Sequence, residues 1–353
     1  MKVRFTCPGP LVPLVIAGVT TCFSGAVHAQ SNVSLWGILD AGVRYATNAN
    51  AARNGKLELS EGPVFGSRFG MRGTEDLGGG TSAFFELEAG MDMGTGNSLQ
   101  SSASAGYTQV STNGQGRLFG RQAFVGMDSR YGALSLGRQY SVAYQAMANA
   151  QIFGNPNLDT LIIAANYTGN RQDNAVKYEK SFGGFRLGAD YAFGETAGNS
   201  RANSGGGVAL SYEGGGAKVA GTFASLNSAD GKETRNVWGL GGGYGFGPFK
   251  ATLGYMGVRY RTADVRNDVA IAGFSYSPNA AWRVGVGGFR DWQRDPGGSR
   301  STAYGIIDYY FSKRTTAYLE VDYNRIAGAY TLLKSQGVVG GKIGSTLGLR
   351  HNF

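Results

Sequence analysis

Between Phe185 and Phe193 the residues alternate without a break. Phe185, Leu187, Ala189, Tyr191 and Phe193 share one parity, and Arg186, Gly188, Asp190 and Ala192 share the other. Successive side chains of a β-strand point to opposite faces, so this stretch predicts a strand with one apolar and one polar, charged face. The same pattern recurs along the chain. Val33, Leu35, Leu39, Ala41, Val43 and Tyr45 alternate with Ser34, Asp40 and Arg44. Phe65, Phe69 and Met71 are set against Arg68, Arg72 and Asp76, and Ala83, Phe85, Leu87, Ala89 and Met91 against Glu86, Glu88 and Asp92. In a β-sandwich the inner face is a dry core and the outward face is polar. A dry core would not hold Arg68, Arg72, Glu86, Glu88, Glu320 and Asp322, and a wet surface would not carry so much Phe, Leu and Tyr. The arrangement that satisfies both faces is a closed barrel with lipid outside and water inside.

The N-terminus predicts an exported chain. Lys2 and Arg4 precede an apolar core from Leu11 to Val19, and Val27-His28-Ala29 forms a small-residue cleavage site. Residues 1–29 are expected to be a cleaved secretory signal, with the barrel domain over 30–353. Cys7, Cys22 and His28 would leave with the signal, so the mature chain has no cysteine and His351 as its one histidine. Without Lys2 and Arg4, the 33 basic residues become 31 against 24 acidic ones, a formal charge of +7. No later run of about 18 apolar residues offers a spanning helix. The 59 Gly, 19 Tyr and 19 Phe suit many short strands joined by tight turns; interior helical Gly costs ~1 kcal/mol relative to Ala.

Taken in order, the alternation predicts about 16 antiparallel strands. After those above come Arg117–Asp128, Ala133–Gln139, Asp173–Lys180 and Phe185–Phe193, then 205–213, 217–226, 234–246, 249–261, 267–276, 280–292, 300–311, 314–325 and 341–353. Periodicity does not assign a face to Arg121 or Arg138. Tight connections such as Gly214-Gly215-Gly216 and Gly247-Pro248 alternate with longer polar ones, as the two ends of an outer-membrane barrel do. The longest interval, Tyr140–Arg171, carries Ala, Ile, Leu and Phe and predicts a structured loop folding back onto or into the body. The last strand puts Ile343, Leu347, Leu349, His351 and Phe353 on one face and ends on Phe353, which resembles the assembly signature of outer-membrane barrels.

Five stretches carry a wider resemblance: VSLWGILDAGVRY (33–45), SRFGMRGTEDLGGG (67–80), GRQAFVGMDSRYGALSLGRQY (120–140), RQDNAVKYEKSFGGF (171–185) and GLRHNF (348–353). In this order and spacing they make the mature chain similar to the trimeric general porins of Gram-negative bacteria, most closely the beta-proteobacterial, neisserial-like branch. The resemblance implies a 16-stranded barrel, a homotrimer, and a third external loop folded into the pore, here Tyr140–Arg171. It maps the family's basic positions onto Arg68, Arg121 or Arg138, and Arg171. It also implies contact with outer-membrane lipid and lipopolysaccharide, and delivery by the barrel-assembly machinery through the C-terminal strand. The loop departs from strongly acidic versions, since Asp159 is its one charge between Tyr140 and Asn170.

The function expected is passive diffusion of small polar solutes and ions through a water-filled channel in the outer membrane. Large barrels hold water where ~8-stranded ones fill with side chains. Selectivity is set by width and lining charge. The expected lining groups are Arg68, Arg72, Glu86, Glu88, Arg121, Arg138, Asp159 and Arg171; with the net +7 they favour anions. Ile152, Phe153, Leu158 and Leu161 would narrow the passage by bulk. A substrate-selective channel for a small organic or inorganic anion would instead show saturable conductance, and an adhesin or closed barrel little conductance at all. Enzyme chemistry is not expected. His351 falls on the outward face, no Cys remains for a thiol or soft metal site, and GLGGGYGFG (239–247) fits neither nucleotide-loop spacing. No cofactor and no nucleic acid are expected.

Overall fold

The computed structural model describes residues 32–99, 107, 116–150, 167–330 and 340–353. The strands of the first half are β1 (Asn32–Ala46), β2 (Lys56–Glu61), β3 (Arg68–Gly78), β4 (Thr81–Met91), β5 (Ser98–Leu99), β6 (Gln122–Ser129), β7 (Gly132–Tyr140), β8 (Arg171–Phe182) and β9 (Phe185–Ala192). Those of the second half are β10 (Gly205–Gly214), β11 (Ala217–Asn227), β12 (Thr234–Phe246), β13 (Phe249–Tyr260), β14 (Arg266–Asn279), β15 (Trp282–Gln293), β16 (Gly298–Tyr310), β17 (Thr315–Gly328) and β18 (Gly340–Asn352). Sixteen form a closed antiparallel barrel, with β2 and β5 as short additions. β2 continues the β3 side of β1: residues 32–38 of β1 pair with β3, and 41–46 pair with β2. Closure comes from β1 against β18, Ile38–Ala46 opposite Asn352–Gly344. Beyond that ladder Phe353 and Gly37 exchange both backbone hydrogen bonds at 3.1 Å. A Cβ at Gly37 would sit 2.3 Å from the Phe353 ring, so glycine there is what lets the terminal ring lie across the seam.

The two faces separate as the alternation requires. Leu35, Val43, Leu187, Trp238, Leu253 and Leu347 are among many large apolar side chains exposed outward. On the opposite parity Asp40, Glu88, Asp190, Asp308, Glu320 and Asp322 are shielded within the barrel. Inner charges pair along and across strands. Arg44 reaches Glu320 at 3.2 Å and Asp322 at 2.6 Å, and Arg283 reaches Asp308 at 2.7 Å. Outward aromatics concentrate from β8 to β17, where Tyr191, Tyr212, Tyr244, Tyr276, Trp292 and Tyr323 are exposed. The outward face of β6 and β7 carries Val125, Met127, Leu134 and Leu136 instead.

Two expectations about local structure change. Phe65 does not share an outward face with Phe69. Between β2 and β3 the chain leaves the wall and tucks inside. There Val64 packs with Tyr304, Ile306 and Tyr318, and Phe65 lies 4.5 Å under the Arg350 guanidinium. Fully buried Asp40 holds this tuck by accepting the amide N–H of Val64 at 3.1 Å, that of Phe65 at 2.6 Å, and the Tyr318 hydroxyl. The strand expected from Arg117 begins five residues later, at Gln122, because Arg117 turns away to pair with Asp173 at 2.8 Å.

The long interval contains a helix, α1 (Val142–Ala150). Its sequence VAYQAMANA is rich in good helix formers and has no Gly or Pro. Ser141 caps it, accepting the Tyr144 amide on its side chain at 3.2 Å, and the Asp190 carboxylate accepts the Val142 amide at 2.6 Å. The helix packs on β10, β11 and β12. Met147 lies against inward-facing Gly239, whose Cβ would come within 2.7 Å of its sulfur. The expected signal (1–29), Asp159 and the apolar group Ile152, Phe153, Leu158 and Leu161 lie outside the described residues.

Replacing Asp40 by Ala strips an acceptor from two amides and a buried hydroxyl, each worth ~1–3 kcal/mol when left unsatisfied. The Asp40→Ala variant is expected to lose at least ~2 kcal/mol of stability and to show a lower thermal unfolding midpoint by circular dichroism. An unchanged midpoint would mean the tuck is not anchored at Asp40.

Candidate functional site

Alternation along β3 and β4 turns Arg68, Arg72, Glu86 and Glu88 to the inner face, and the antiparallel register sets Arg72 opposite Glu86. The next strand brings Gln122 opposite Glu88. Around Glu88 these groups form one network. One carboxylate oxygen accepts Arg121 Nε at 2.6 Å and lies 3.6 Å from Arg68 Nη1; the other accepts the Gln122 amide at 2.8 Å. Gln122 also donates to Glu86 at 3.3 Å.

The second half of the network hangs on Tyr140, the last residue of β7. Its hydroxyl oxygen accepts Arg121 Nη2 at 2.6 Å and Arg171 Nη2 at 2.9 Å. The Arg171 guanidinium lies 4.7 Å over the Tyr140 ring, a cation–π contact. Tyr144 of α1 also stacks on that ring, with centroids 5.1 Å apart. Burial, with Tyr140 beside it, pushes the Tyr144 hydroxyl up to about 12, so it stays neutral. Arg68 Nε and Arg171 Nε are buried without a hydrogen-bond partner in the described structure. Four guanidiniums (Arg68, Arg72, Arg121, Arg171) thus stand with two carboxylates (Glu86, Glu88) on one stretch of inner wall, a local formal charge of +2.

Arg138 departs from this group. Its register partner is Ala123, on the parity of outward Val125 and Met127. A register irregularity between Gly137 and Gln139 falls at this residue. Arg138 donates to the Gly120 carbonyl at 2.8 Å and to Asp173 at 2.6 Å, sharing that carboxylate with Arg117. The structure brings the expected Arg68, Arg72, Arg121, Arg171, Glu86 and Glu88 together on one stretch of wall, with Tyr140, Gln122 and Tyr144, which sequence reasoning did not single out, as their connectors. Tyr140 was visible only as a loop boundary, and a hydroxyl shared by two arginines leaves no periodic trace.

A second inward site lies on the far wall. On β15, one oxygen of Asp291 accepts the hydroxyls of Tyr167 and of Tyr330, the latter at 2.6 Å; the other accepts the Asn267 amide at 2.8 Å. Tyr167 precedes β8 by four residues, and Tyr330 follows β17. One buried carboxylate thus ties two connections to the wall.

Comparison with known proteins agrees with the barrel fold. A family profile described as Gram-negative porin matches residues 14–328. An outer membrane porin protein of Bordetella pertussis is 34% identical over 289 residues, 71% of this chain and 69% of that protein. Outer membrane porin protein 32 of Delftia acidovorans is 29% identical over 96% of this chain and 99% of its own length. Among solved structures, the anion-selective porin from Comamonas acidovorans superposes with a TM-score of 0.76 at 25% identity, covering 92% of this chain and all of that one.

Neutralising Glu88 leaves the arginines unopposed. A unit charge ~10 Å from a permeant ion in water is worth ~0.4 kcal/mol. Glu88→Gln should therefore raise the chloride-to-potassium permeability ratio about two- to fourfold, read from the reversal potential in a salt gradient. Arg138→Gln, which removes a charge already paired with Asp173 at 2.6 Å, should shift that potential less than Glu88→Gln does.

Proposed function

Because the chain belongs to the Gram-negative porin family, we propose that it forms a water-filled channel in the outer membrane through which small hydrophilic solutes and ions diffuse, anions ahead of cations. The observation that carries the anion preference is the inner-wall network in which four arginines meet two glutamates beside Tyr140 and Arg171. An ion passing this wall meets fixed, partly desolvated guanidiniums whose attraction for anions is stronger than in bulk water. The similarity to an anion-selective porin supports the same sign.

The constriction is the segment between Tyr140 and Arg171. Its two described ends both leave the β7–β8 wall. At one end α1 lies on the inner faces of β10 to β12; at the other Tyr167 reaches Asp291 on β15. Four residues of extended chain span ~14 Å, so Tyr167 reaches β15, seven strands around the wall from β8, by a path through the lumen. Both described ends of the segment therefore lie inside the lumen, where the wall arginines supply the charge. Arg68, Arg72, Arg121, Arg171, Glu86 and Glu88 line it, and Arg138, paired with Asp173, braces the adjoining wall.

The protein works as a homotrimer exported with removal of residues 1–29. The aliphatic outer face of β6 and β7 suits subunit contact, and the aromatic outer face from β8 to β17 suits lipid, because Tyr and Trp favour the membrane interface. Phe353, laid across the β1–β18 seam, is the signal read by the barrel-assembly machinery. Deleting residues 150–162 should raise single-channel conductance in a planar bilayer, while Asp159→Asn should shift ion selectivity only slightly. Unchanged conductance in the deletion would show that the segment does not narrow the pore.

A further inference from the structure

Residues 62–67 make a detour that closing the barrel does not require. The chain leaves β2, lies along the inner faces of neighbouring strands, and only then enters β3. Val64 packs with Tyr304 and Ile306 of β16 and with Tyr318 of β17. Around the wall β1 is followed by β18, β17 and β16, so at ~4.8 Å per strand the tuck reaches ~14 Å from β1. Its wall side is dry: Val64 is fully buried, and Asp40 accepts the amides of Val64 and Phe65. Its other side is wet. Pro63, Phe65 and Gly66 remain partly exposed, and inside a closed barrel that exposure is to the lumen. A Cβ on Gly66 would meet one described atom within 4 Å, Arg121 Nη1 at 3.8 Å. The tuck therefore borders open space beside the arginine–glutamate network.

Phe65 also covers a cation. The Arg350 guanidinium lies 4.5 Å from its ring centroid, a cation–π contact, and Arg350 is 7% exposed. Asp40 is the cross-strand neighbour of Arg350. One Asp40 oxygen, however, accepts the two tuck amides, and the other accepts the Tyr318 hydroxyl. Arg350 keeps a 3.5 Å contact with the Thr316 hydroxyl, and its Nη1 has no hydrogen-bond partner among the described residues. Where the network arginines meet Glu88 directly, this cation is held behind an aromatic ring.

We propose that residues 63–66 form a second narrowing of the pore, separate from the segment between Tyr140 and Arg171, and that Phe65 is a specificity-determining residue within it. The Phe65 ring stands in the passage and at the same time keeps permeating anions away from the Arg350 charge. The proposal rests on the pore reading, and it assigns to a neutral side chain a part in setting ion selectivity.

The test measures single-channel conductance and reversal potential of the purified full-length protein in a planar bilayer, native and variant. Phe65→Ala should raise conductance. Removing the ring also shortens the approach of an anion to Arg350 from ~8 to ~4 Å in water, so the chloride-to-potassium permeability ratio should rise about twofold. Adding Arg350→Gln to Phe65→Ala should cancel the rise in the ratio while conductance stays high. Gly66→Leu, which fills open space beside Arg121, should lower conductance. Where Phe65→Ala does not fold, Phe65→Leu, which keeps apolar packing and removes the aromatic face, should still raise the ratio. Native conductance in both Phe65→Ala and Gly66→Leu would overturn the narrowing, and a raised ratio that survives Arg350→Gln would overturn the covering of Arg350. A conducting, chloride-selective native protein with unaltered variants strikes this proposal alone, whereas a native protein that does not conduct strikes the pore reading with it.

Discussion

Everything in this molecule depends on satisfying backbone hydrogen bonds in a medium that offers none. A strand edge left open in hydrocarbon would strand a row of amides and carbonyls at several kcal/mol each. The ladder between β1 and β18 removes the last edge, and the Phe353–Gly37 exchange finishes it. Once closure is required, strand alternation follows, with apolar side chains outward and charged ones inward. Inner charges such as Arg44 with Glu320 and Asp322 become affordable because water and opposite charges share the lumen with them.

Closure also explains where irregularity is allowed. Backbone that leaves the wall must still be satisfied, and here it turns inward onto side chains. Asp40 receives the amides of the 62–67 tuck, Asp190 the first amide of α1, and Asp291 two tyrosine hydroxyls from separate connections. Each anchor is a carboxylate on a strand, aimed into the lumen. The same inward traffic brings Tyr140 and Arg171 to Arg121 and Glu88, turning separate wall charges into one network.

The barrel itself was legible in the sequence because period-two patterning is local. The strands expected at 234–246 and 185–193 are observed at Thr234–Phe246 and Phe185–Ala192. Arg68, Arg72, Glu86 and Glu88 could be placed on the inner face by parity alone. Legibility failed where the chain breaks period. Phe65 sits on a six-residue departure from the wall, and Arg138 lies at a register irregularity that periodicity cannot see. The α1 helix was hidden inside an interval readable only as long and partly apolar. Tyr140 and Asp291 are invisible for another reason: what makes them important is a partner brought from elsewhere in the chain by the closed barrel.

The central claim is that the arginine-rich inner wall, rather than the overall charge of the chain, sets the sign of selectivity. The direct measurement is the reversal potential of the purified native protein in a planar bilayer under a salt gradient, compared with a variant in which Arg68 and Arg171 are both replaced by Gln. The account predicts a chloride-selective potential that moves toward zero in the variant. A potassium-selective native channel, or a chloride preference unaffected by the two substitutions, would contradict it.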